Sequence, residues 1–339
     1  MLTEAKTLAE RLAALTRSFA ERRVLVVGDL VADQFVFGEI SRVSREAPVL
    51  ILRHERTETV PGGAANCVAN LASLGARAGI VGALGDDGSG RALLRRLDAA
   101  GVDCGGVVVS PQLKTTTKVR ILAGHAHSSR QQVIRVDYEG GAPGDAAINA
   151  ALLKHLRERV AAADAVIVSD YNYGVAGGEV IGVLREAANA GKHVLIDSRF
   201  RLTEFGGFTS ATPNEDEVEQ VLAERLPDAG ALAAAGERLR AQLELRALLV
   251  TRGRKGMLLF EEGAEPLHLD AVGERDAVDV TGAGDTVIAT YALALASGAG
   301  FADAARLANH AGGAVVMKRG TASVTPEELL DSLREYGKD

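Results

Sequence analysis

Cysteine is scarce in this 339-residue chain: Cys67 and Cys104 are the only two, and they form no CxxC pair. That argues against a zinc site and against a disulfide framework, and it fits a reducing compartment. No apolar run approaches the roughly 20 residues of a membrane span. The first 20 residues interleave Glu4, Lys6, Glu10, Arg11 and Arg17 with Leu and Ala. They read as an amphipathic helix, because a secretory leader needs an uninterrupted apolar stretch. Positive charge is not in excess. The 38 Lys and Arg against 45 Asp and Glu give a net charge of −7, which argues against nucleic acid or an anionic membrane as the main partner. A local basic pocket for a phosphate remains compatible with that balance. A GxGxxG string after the first strand is also missing, since Val24–Val27 runs into Gly28-Asp29-Leu30. A dinucleotide-dependent dehydrogenase would want it there. No internal repeat or low-complexity linker is visible. The expected location is the cytoplasm.

What the chain does have is enough apolar residue, 47%, for a sizeable core. A prior of roughly 150 residues per domain allows two domains, but one large α/β unit can absorb the length. Short continuous apolar runs end in Gly, Asp, Ser or Thr and lead into Ala/Leu-rich stretches: Val24–Val27, Ala165–Val168, His193–Ile196 and Ala247–Val250. This alternation predicts an α/β fold with a mostly parallel sheet covered by helices on both faces. Ligands of such sheets sit beyond the carboxyl ends of the strands. Two regions read differently. Phe35–Phe37 with Val49–Arg53, and Thr115–Leu122 with Gln131–Tyr138 around the polar loop Ala123–Arg130, predict strand pairs. We read them as a small lid sheet, spanning about 31–55 and 115–138, standing off the main domain. Edge hairpins of the main sheet are the alternative. The division expected is an N-terminal helix over 1–21 and one domain over 22–339.

The strongest chemical signal is Asp279-Val280-Thr281-Gly282-Ala283-Gly284-Asp285-Thr286, placed before the apolar stretch Val287–Ala296. Gly282, Ala283 and Gly284 let backbone N–H groups approach an anion, and a helix N-terminus adds unpaired donors and a positive dipole end. A phosphoryl group in transfer carries its charge on oxygens that such donors stabilise. Asp285, directly after, can accept the proton of an attacking hydroxyl. Alone it could equally cap the helix. Asp279 fits a role in orienting the loop at the nucleotide side. Asn214 and Glu217, in Thr212-Pro213-Asn214-Glu215-Asp216-Glu217, have NxxE spacing that puts an amide and a carboxylate on one face of a helical turn. They can hold hydrated magnesium, or the acidic turn can simply complement a helix dipole.

The eight-residue string and its late position resemble the DTxGAGD signature of the PfkB/ribokinase family. Pro61-Gly62-Gly63-Ala64-Ala65-Asn66 resembles that family's N-terminal signature, which implies sugar contacts from Gly62, Gly63 and Asn66. Thr251-Arg252-Gly253 resembles the nucleotide-side turn, implying that Thr251 and Gly253 serve ATP, and Asn309 matches a position near the adenine. The four motifs stand in family order from about Arg22 to Leu330. Within the family, Gly28-Asp29-Leu30-Val31-Ala32-Asp33, the string Ser41–Val49, Thr117–Arg120 and Gln131–Asp137 are most similar to the heptose 7-phosphate kinase domain of lipopolysaccharide-heptose synthesis. That resemblance implies a ribokinase-like fold and ATP, Mg²⁺ and a monovalent cation as cofactors. It implies a sugar or sugar phosphate as substrate and Asp33 on sugar hydroxyls. Arg42, Lys118 and Arg120 are then the candidates near the substrate's own phosphate, because cations pair well with phosphate oxygens. Two positions depart from that subfamily: Tyr173 stands where a DYxKG string has Lys, and Asp197-Ser198-Arg199 stands for DPK. Both touch pocket-side cations, not the transfer centre. Exposed lid strands would favour edge pairing and a homodimer. A catalytically silent sugar- or nucleotide-sensing protein on the same fold is the competing class; an intact base beside an intact anion loop speaks for the enzyme.

Overall fold

The apolar runs at Val24, Ala165, His193 and Ala247 are continuous because each must be covered on both faces. The computed structural model describes residues 2–124, 130–141, 143–273 and 277–336, and it places these runs inside one sheet. In chain order the elements begin with α1 (Leu2–Arg17), β1 (Arg23–Gly28), β2 (Leu30–Val43), β3 (Leu50–Gly63), α2 (Ala64–Ser73), β4 (Arg77–Gly85) and α3 (Gly88–Ala99). Next come β5 (Asp103–Ser110), β6 (Thr116–Gly124), β7 (Gln131–Tyr138), α4 (Ala146–Val160), β8 (Ala165–Asp170), α5 (Gly178–Asn189) and β9 (His193–Ser198). The chain continues with β10 (Ser210–Ala211), α6 (Glu215–Leu222), α7 (Ala229–Gln242), β11 (Ala247–Thr251), β12 (Met257–Glu261) and β13 (Leu267–Leu269). It closes with α8 (Ala283–Ala296), α9 (Phe301–Val315) and α10 (Pro326–Tyr336).

Among the described residues the large sheet runs β13-β12-β11-β10-β9-β8-β1-β4-β5. From β11 to β5 neighbouring strands are parallel, and β12 and β13 add an antiparallel edge. One face packs on α1, α2, α3, α8, α9 and α10, through residues such as Leu12, Leu71, Leu97, Tyr291 and Leu333. The other packs on α4 to α7, through Leu152, Leu184, Val218 and Leu239. Helix α8 is buried from Asp285 to Leu295, as expected of a helix that is apolar all round. The N-terminal helix belongs to the same layer: Leu12 is in the core, and Arg11 forks onto Asp303 of α9 at 2.6 and 2.9 Å. Among the described residues no helix is long and apolar enough to cross a membrane.

Strand order reverses beside β1, with β4 and β5 added on one side and β8 onward on the other. Such a reversal leaves a crevice at the carboxyl ends of the strands, where ligands of open α/β sheets bind.

The second sheet stands apart, in the order β3-β2-β6-β7. The two strand pairs expected from sequence are thus one four-stranded sheet, joined by parallel pairing of β2 with β6 from Val31–Thr116 to Glu39–Gly124. Strands β2 and β3 are 14 residues each, longer than the sequence suggested. Their outer halves face water and alternate weakly, so hydrophobicity marks only short stretches of them. Strand β7 is exposed along its whole length. Of the loop expected over 123–130, residues 125–129 lie outside the described residues.

Candidate active site

Local chemistry at the end of β1 and β8 builds one wall. The buried Asp29 carboxylate accepts the backbone N–H groups of Tyr171, Tyr173 and Val175 at 2.8, 3.0 and 3.1 Å. This folds the loop after β8 tightly, with Asn172 in the left-handed region at φ 63°, and turns Tyr171 towards α8. Gly282 makes the opposite wall. It caps α8 at φ 76°, a conformation glycine adopts without steric cost, and a Cβ there would lie 2.5 Å from Asn66 Nδ2. The N–H groups of Gly284 and Asp285 fall in the first turn of α8, where a helix offers its donors no internal acceptor.

Asp285 sits buried between these walls. Its Oδ2 accepts a hydrogen bond from Asn66 Nδ2 at 2.6 Å, and the Tyr171 hydroxyl lies 3.4 Å from its Oδ1. Burial raises its pKa to about 6, against the opposing pull of those two hydrogen bonds, and the Asp33 charge adds to the rise. The charge of Asp285, followed by burial, pushes the Tyr171 phenol well above its ordinary value, so Tyr171 stays protonated and can only donate to an ionised Asp285. One carboxylate oxygen is thus held by an amide. The other lies 3.4 Å from the Tyr171 hydroxyl, a longer and weaker contact.

The cavity over Asp285 measures about 660 Å³. It is lined by Asp33, Gly62, Gly63, Asn66, Lys118 and Arg120 from the lid side and by Gly282, Ala283, Gly284 and Asp285 from α8. Asn214, Glu217, Thr251 and Gly253 line its far end. The fold therefore gathers fourteen of the residues expected from sequence around one opening.

Three others fall elsewhere. Arg42 is exposed and lines neither this cavity nor the adjoining one. It lies nine residues beyond Asp33 along β2, which at roughly 3.3 Å per residue is about 30 Å away. Arg42 therefore does not share the opening where the other expected cations, Lys118 and Arg120, meet. Asp279 lines neither cavity; its carboxylate accepts the N–H groups of Thr281 and Gly320, each at 2.9 Å, and pins the loop before α8. Burial alone would raise its pKa, but these bonds outweigh it and hold Asp279 below its ordinary value. Asn309 belongs to the neighbouring cavity, of about 200 Å³, with Met257, Val272, Val280 and Val287. Its Nδ2 donates to the Asp270 carbonyl at 2.6 Å. Thr251, Gly253, Val280, Ala283 and Gly284 line both cavities, so the two are continuous across the start of α8.

Charge within the site is arranged in two groups. On the lid side Arg120 Nη1 donates to Asp33 Oδ1 at 2.5 Å, so this cation is already paired. Lys118 Nζ and the Arg199 guanidinium lie 5.5 and 5.6 Å from the Tyr171 ring centre. Burial lowers the Lys118 pKa, and the Arg199 charge contributes to that. At the other end are carboxylates. Asn214 caps α6: its Oδ1 accepts the Glu217 N–H at 2.8 Å, and Glu217 Oε2 accepts the Asn214 N–H at 2.9 Å. This reciprocal capping box fixes both side chains and leaves the second Glu217 oxygen free of it. Asp197 lines the same cavity with no ion pair among the described residues; burial raises its pKa well above the ordinary value and burial likewise raises that of Glu217. The carboxylates would bind a hydrated divalent cation, which would relieve that penalty.

Tyr171 and Asp197 were given no site role from sequence, and Arg199 was noted only as a departure at a pocket-side cation position. The available signal was position: each stands at or just past the carboxyl end of β8 or β9.

A family model described as pfkB family carbohydrate kinase matches residues 21–328. The chain is 42% identical over 324 residues to the bifunctional protein HldE of Caulobacter vibrioides, covering 94% of this chain and 65% of that protein. It is 43% identical over 327 residues to the bifunctional protein HldE of Chromohalobacter salexigens, covering 94% and 66%. The chain thus spans a little under two thirds of the length of these relatives. Among solved structures it resembles Arabidopsis thaliana ribokinase complexed with ribose and ATP, with a TM-score of 0.71 and 22% identity over 92% of this chain and 98% of that one. It also resembles phosphofructokinase-2 from Escherichia coli in complex with substrates and products, with a TM-score of 0.75 and 17% identity over 93% and 99%. At these identities the likeness to the two structures is one of fold.

Proposed function

The chain belongs to the pfkB family of carbohydrate kinases and is an ATP-dependent sugar kinase, and on that premise we propose that its acceptor is a heptose already bearing a phosphate. The reaction would convert D-glycero-β-D-manno-heptose 7-phosphate to the 1,7-bisphosphate, as the resemblance to heptose 7-phosphate kinase implies and as the relatives named HldE support. The observation that carries the kinase chemistry is Asp285, buried at the first turn of α8, lining the cavity, with Oδ2 held by Asn66 and Oδ1 beside the Tyr171 hydroxyl. Above pH 6 the carboxylate is ionised. Its Oδ1 takes the proton as the acceptor oxygen forms its bond to the γ-phosphorus of ATP and the bond to the ADP oxygen breaks. The first-turn N–H groups of α8 stabilise the charge on the moving phosphoryl group.

Glu217 and Asp197 would hold magnesium through water, with Asn214 orienting Glu217. Bound there, magnesium would neutralise the phosphate oxygens of ATP. Thr251 and Gly253 would flank the phosphates, and the apolar cavity beside Asn309 suits the purine. Asp33, Gly62 and Gly63 would meet sugar hydroxyls. The substrate's own phosphate would face Lys118 and Arg199, the two cations beside Tyr171 that form no ion pair among the described residues. A monovalent cation, a cytoplasmic location and a homodimer formed through the open lid sheet belong to the same proposal. The exposed Val133, Ile134 and Val136 on β7 support the last of these.

The test is coupled ADP detection with heptose 7-phosphate and with the same heptose lacking phosphate. Preference for the phosphorylated sugar by tenfold or more in kcat/KM is expected. Equal values would overturn the phosphate reading and leave a kinase for an unphosphorylated sugar.

A further inference from the structure

Asn70 is a core amide that the chemistry above does not use. It is fully buried on α2, amid alanine, valine and leucine, and it lines neither cavity. It stands one helical turn after Asn66, and its Nδ2 donates to the Asn66 backbone carbonyl at 2.9 Å and to Asn66 Oδ1 at 3.3 Å. Its own Oδ1 accepts the Thr286 hydroxyl at 2.8 Å. Thr286 follows Asp285 in α8 and is fully buried. The hydrogen bonds therefore close a ring: Asp285, Asn66, Asn70, Thr286 and back through one peptide bond to Asp285.

The polarity of this ring is set by charge. An ionised carboxylate only accepts, so Asn66 must turn its Nδ2 to Asp285. Its Oδ1 then faces α2 and needs a donor, which Asn70 Nδ2 supplies. That orientation leaves Asn70 Oδ1 towards α8, where the Thr286 hydroxyl donates. If Asn66 were reversed, its carbonyl oxygen would oppose the carboxylate, and two buried donors would face one another. In a dry core such an arrangement is strongly disfavoured.

We propose that Asn70 is a positioning residue for phosphoryl transfer: through Asn66 it locks Asp285 Oδ2 and so leaves Oδ1 as the proton-accepting oxygen. The proposal rests on the kinase reading for its consequence, but its physical content can be read without turnover. Asn70→Leu keeps the volume and removes both donor and acceptor. Asn66 then loses what fixes its orientation, its bond to Asp285 weakens, and the ionised form of Asp285 loses support.

The experiment is titration of the Asp285 carboxyl carbon by NMR in protein labelled at aspartate, with Asp285→Asn identifying the signal. Asn70→Leu is expected to raise the midpoint by about one unit, a tenfold change in acid constant. Thr286→Val, which removes only the far donor, should shift it less in the same direction. In an Asn66→Ala background Asn70→Leu should add nothing. Asp33, Asp197, Tyr171, Cys67 and Arg199 also act on this region, and none of these substitutions removes them. An unchanged midpoint in Asn70→Leu, or the same shift with and without Asn66, would overturn the proposal. If Asn70→Leu does not fold, Thr286→Val decides by the same criterion. With active enzyme, kcat should fall about tenfold while both KM values stay within twofold. Wild-type protein that phosphorylates no sugar would defeat the kinase reading, whereas the titration would still decide the ring.

Discussion

Asn66 and Asp285 are 219 positions apart in the chain, yet Asn66 Nδ2 lies 2.6 Å from Asp285 Oδ2, both buried. Neither the anion loop nor the Gly-Gly turn makes a site alone; the contact between α2 and α8 does. Four predictions follow from the surroundings of this pair.

Asp285→Asn should lower kcat by on the order of 10²–10⁴-fold, the usual loss for a positioned base, with ATP affinity retained in a binding titration. The same variant should be more stable than wild type at neutral pH. The folded pKa of about 6 lies above the ordinary 3.8, so the stability contributed by protonated Asp285 is full below pH 3.8 and lost as pH rises through 6. Asparagine carries no such charge. Thermal melts should differ most above pH 6 and converge towards pH 4. Near wild-type kcat would remove Asp285 as the base.

The pH profile of kcat should fall on the acid side with a midpoint near 6, because the base must be ionised. Tyr171→Phe deletes a donor that favours the ionised form. With a hydroxyl 3.4 Å away, its worth is at the low end for hydrogen bonds, so the midpoint should rise by less than about one unit. A midpoint that moves down would contradict the assigned contact.

Glu217→Gln and Glu217→Ala should separate two roles of one side chain. Glutamine preserves the capping box with Asn214 and removes the charge. It should not lower the melting temperature at neutral pH, since it also removes a buried charge, and it should raise the magnesium concentration needed for half-maximal activity. Alanine should do both damages, lowering stability by about 1 kcal/mol. An unchanged magnesium titration in Glu217→Gln would reduce Glu217 to a helix cap.

Lys118→Ala and Arg199→Ala should each raise KM for a phosphorylated acceptor by about tenfold, the scale of one lost charge-assisted contact, with little effect on KM for ATP. Arg120→Ala should be more damaging to the lid, since it strands the buried Asp33 carboxylate. Arg42→Ala, at the far end of β2, should leave both KM values of an isolated chain unchanged. Comparing the four variants by steady-state kinetics separates free cations from the paired one.

The sequence was informative wherever chemistry is local. The run from Gly282 to Asp285 carries its own meaning: glycine at a left-handed cap, small residues at a helix start, a carboxylate in the first turn. Asn214 and Glu217 were equally legible as a pair, because NxxE spacing determines that they share one turn; that the two also cap the helix reciprocally appears only in the structure. The lid strands were only half legible. Solvated faces of β2 and β3 carry polar residues without a strict period, so their true lengths appear only in the pairing register.

Arg42 and Arg120 mark the boundary. Both are arginines on strands of the lid, and in the sequence both were candidate cations for a phosphate. Composition and motif order were enough to determine the α/β class and the family and to single out Asp285 as the candidate base, since each depends on a few neighbouring residues. Only the tertiary structure decided that Arg120 is paired with Asp33, that Arg42 is exposed and lines neither cavity, and that Lys118 and Arg199 flank Tyr171. The physical reason is that a charge acts through distance and burial. Both are set by strand register and by which loops the sheet brings to its carboxyl edge, and neither is a property of the residue type.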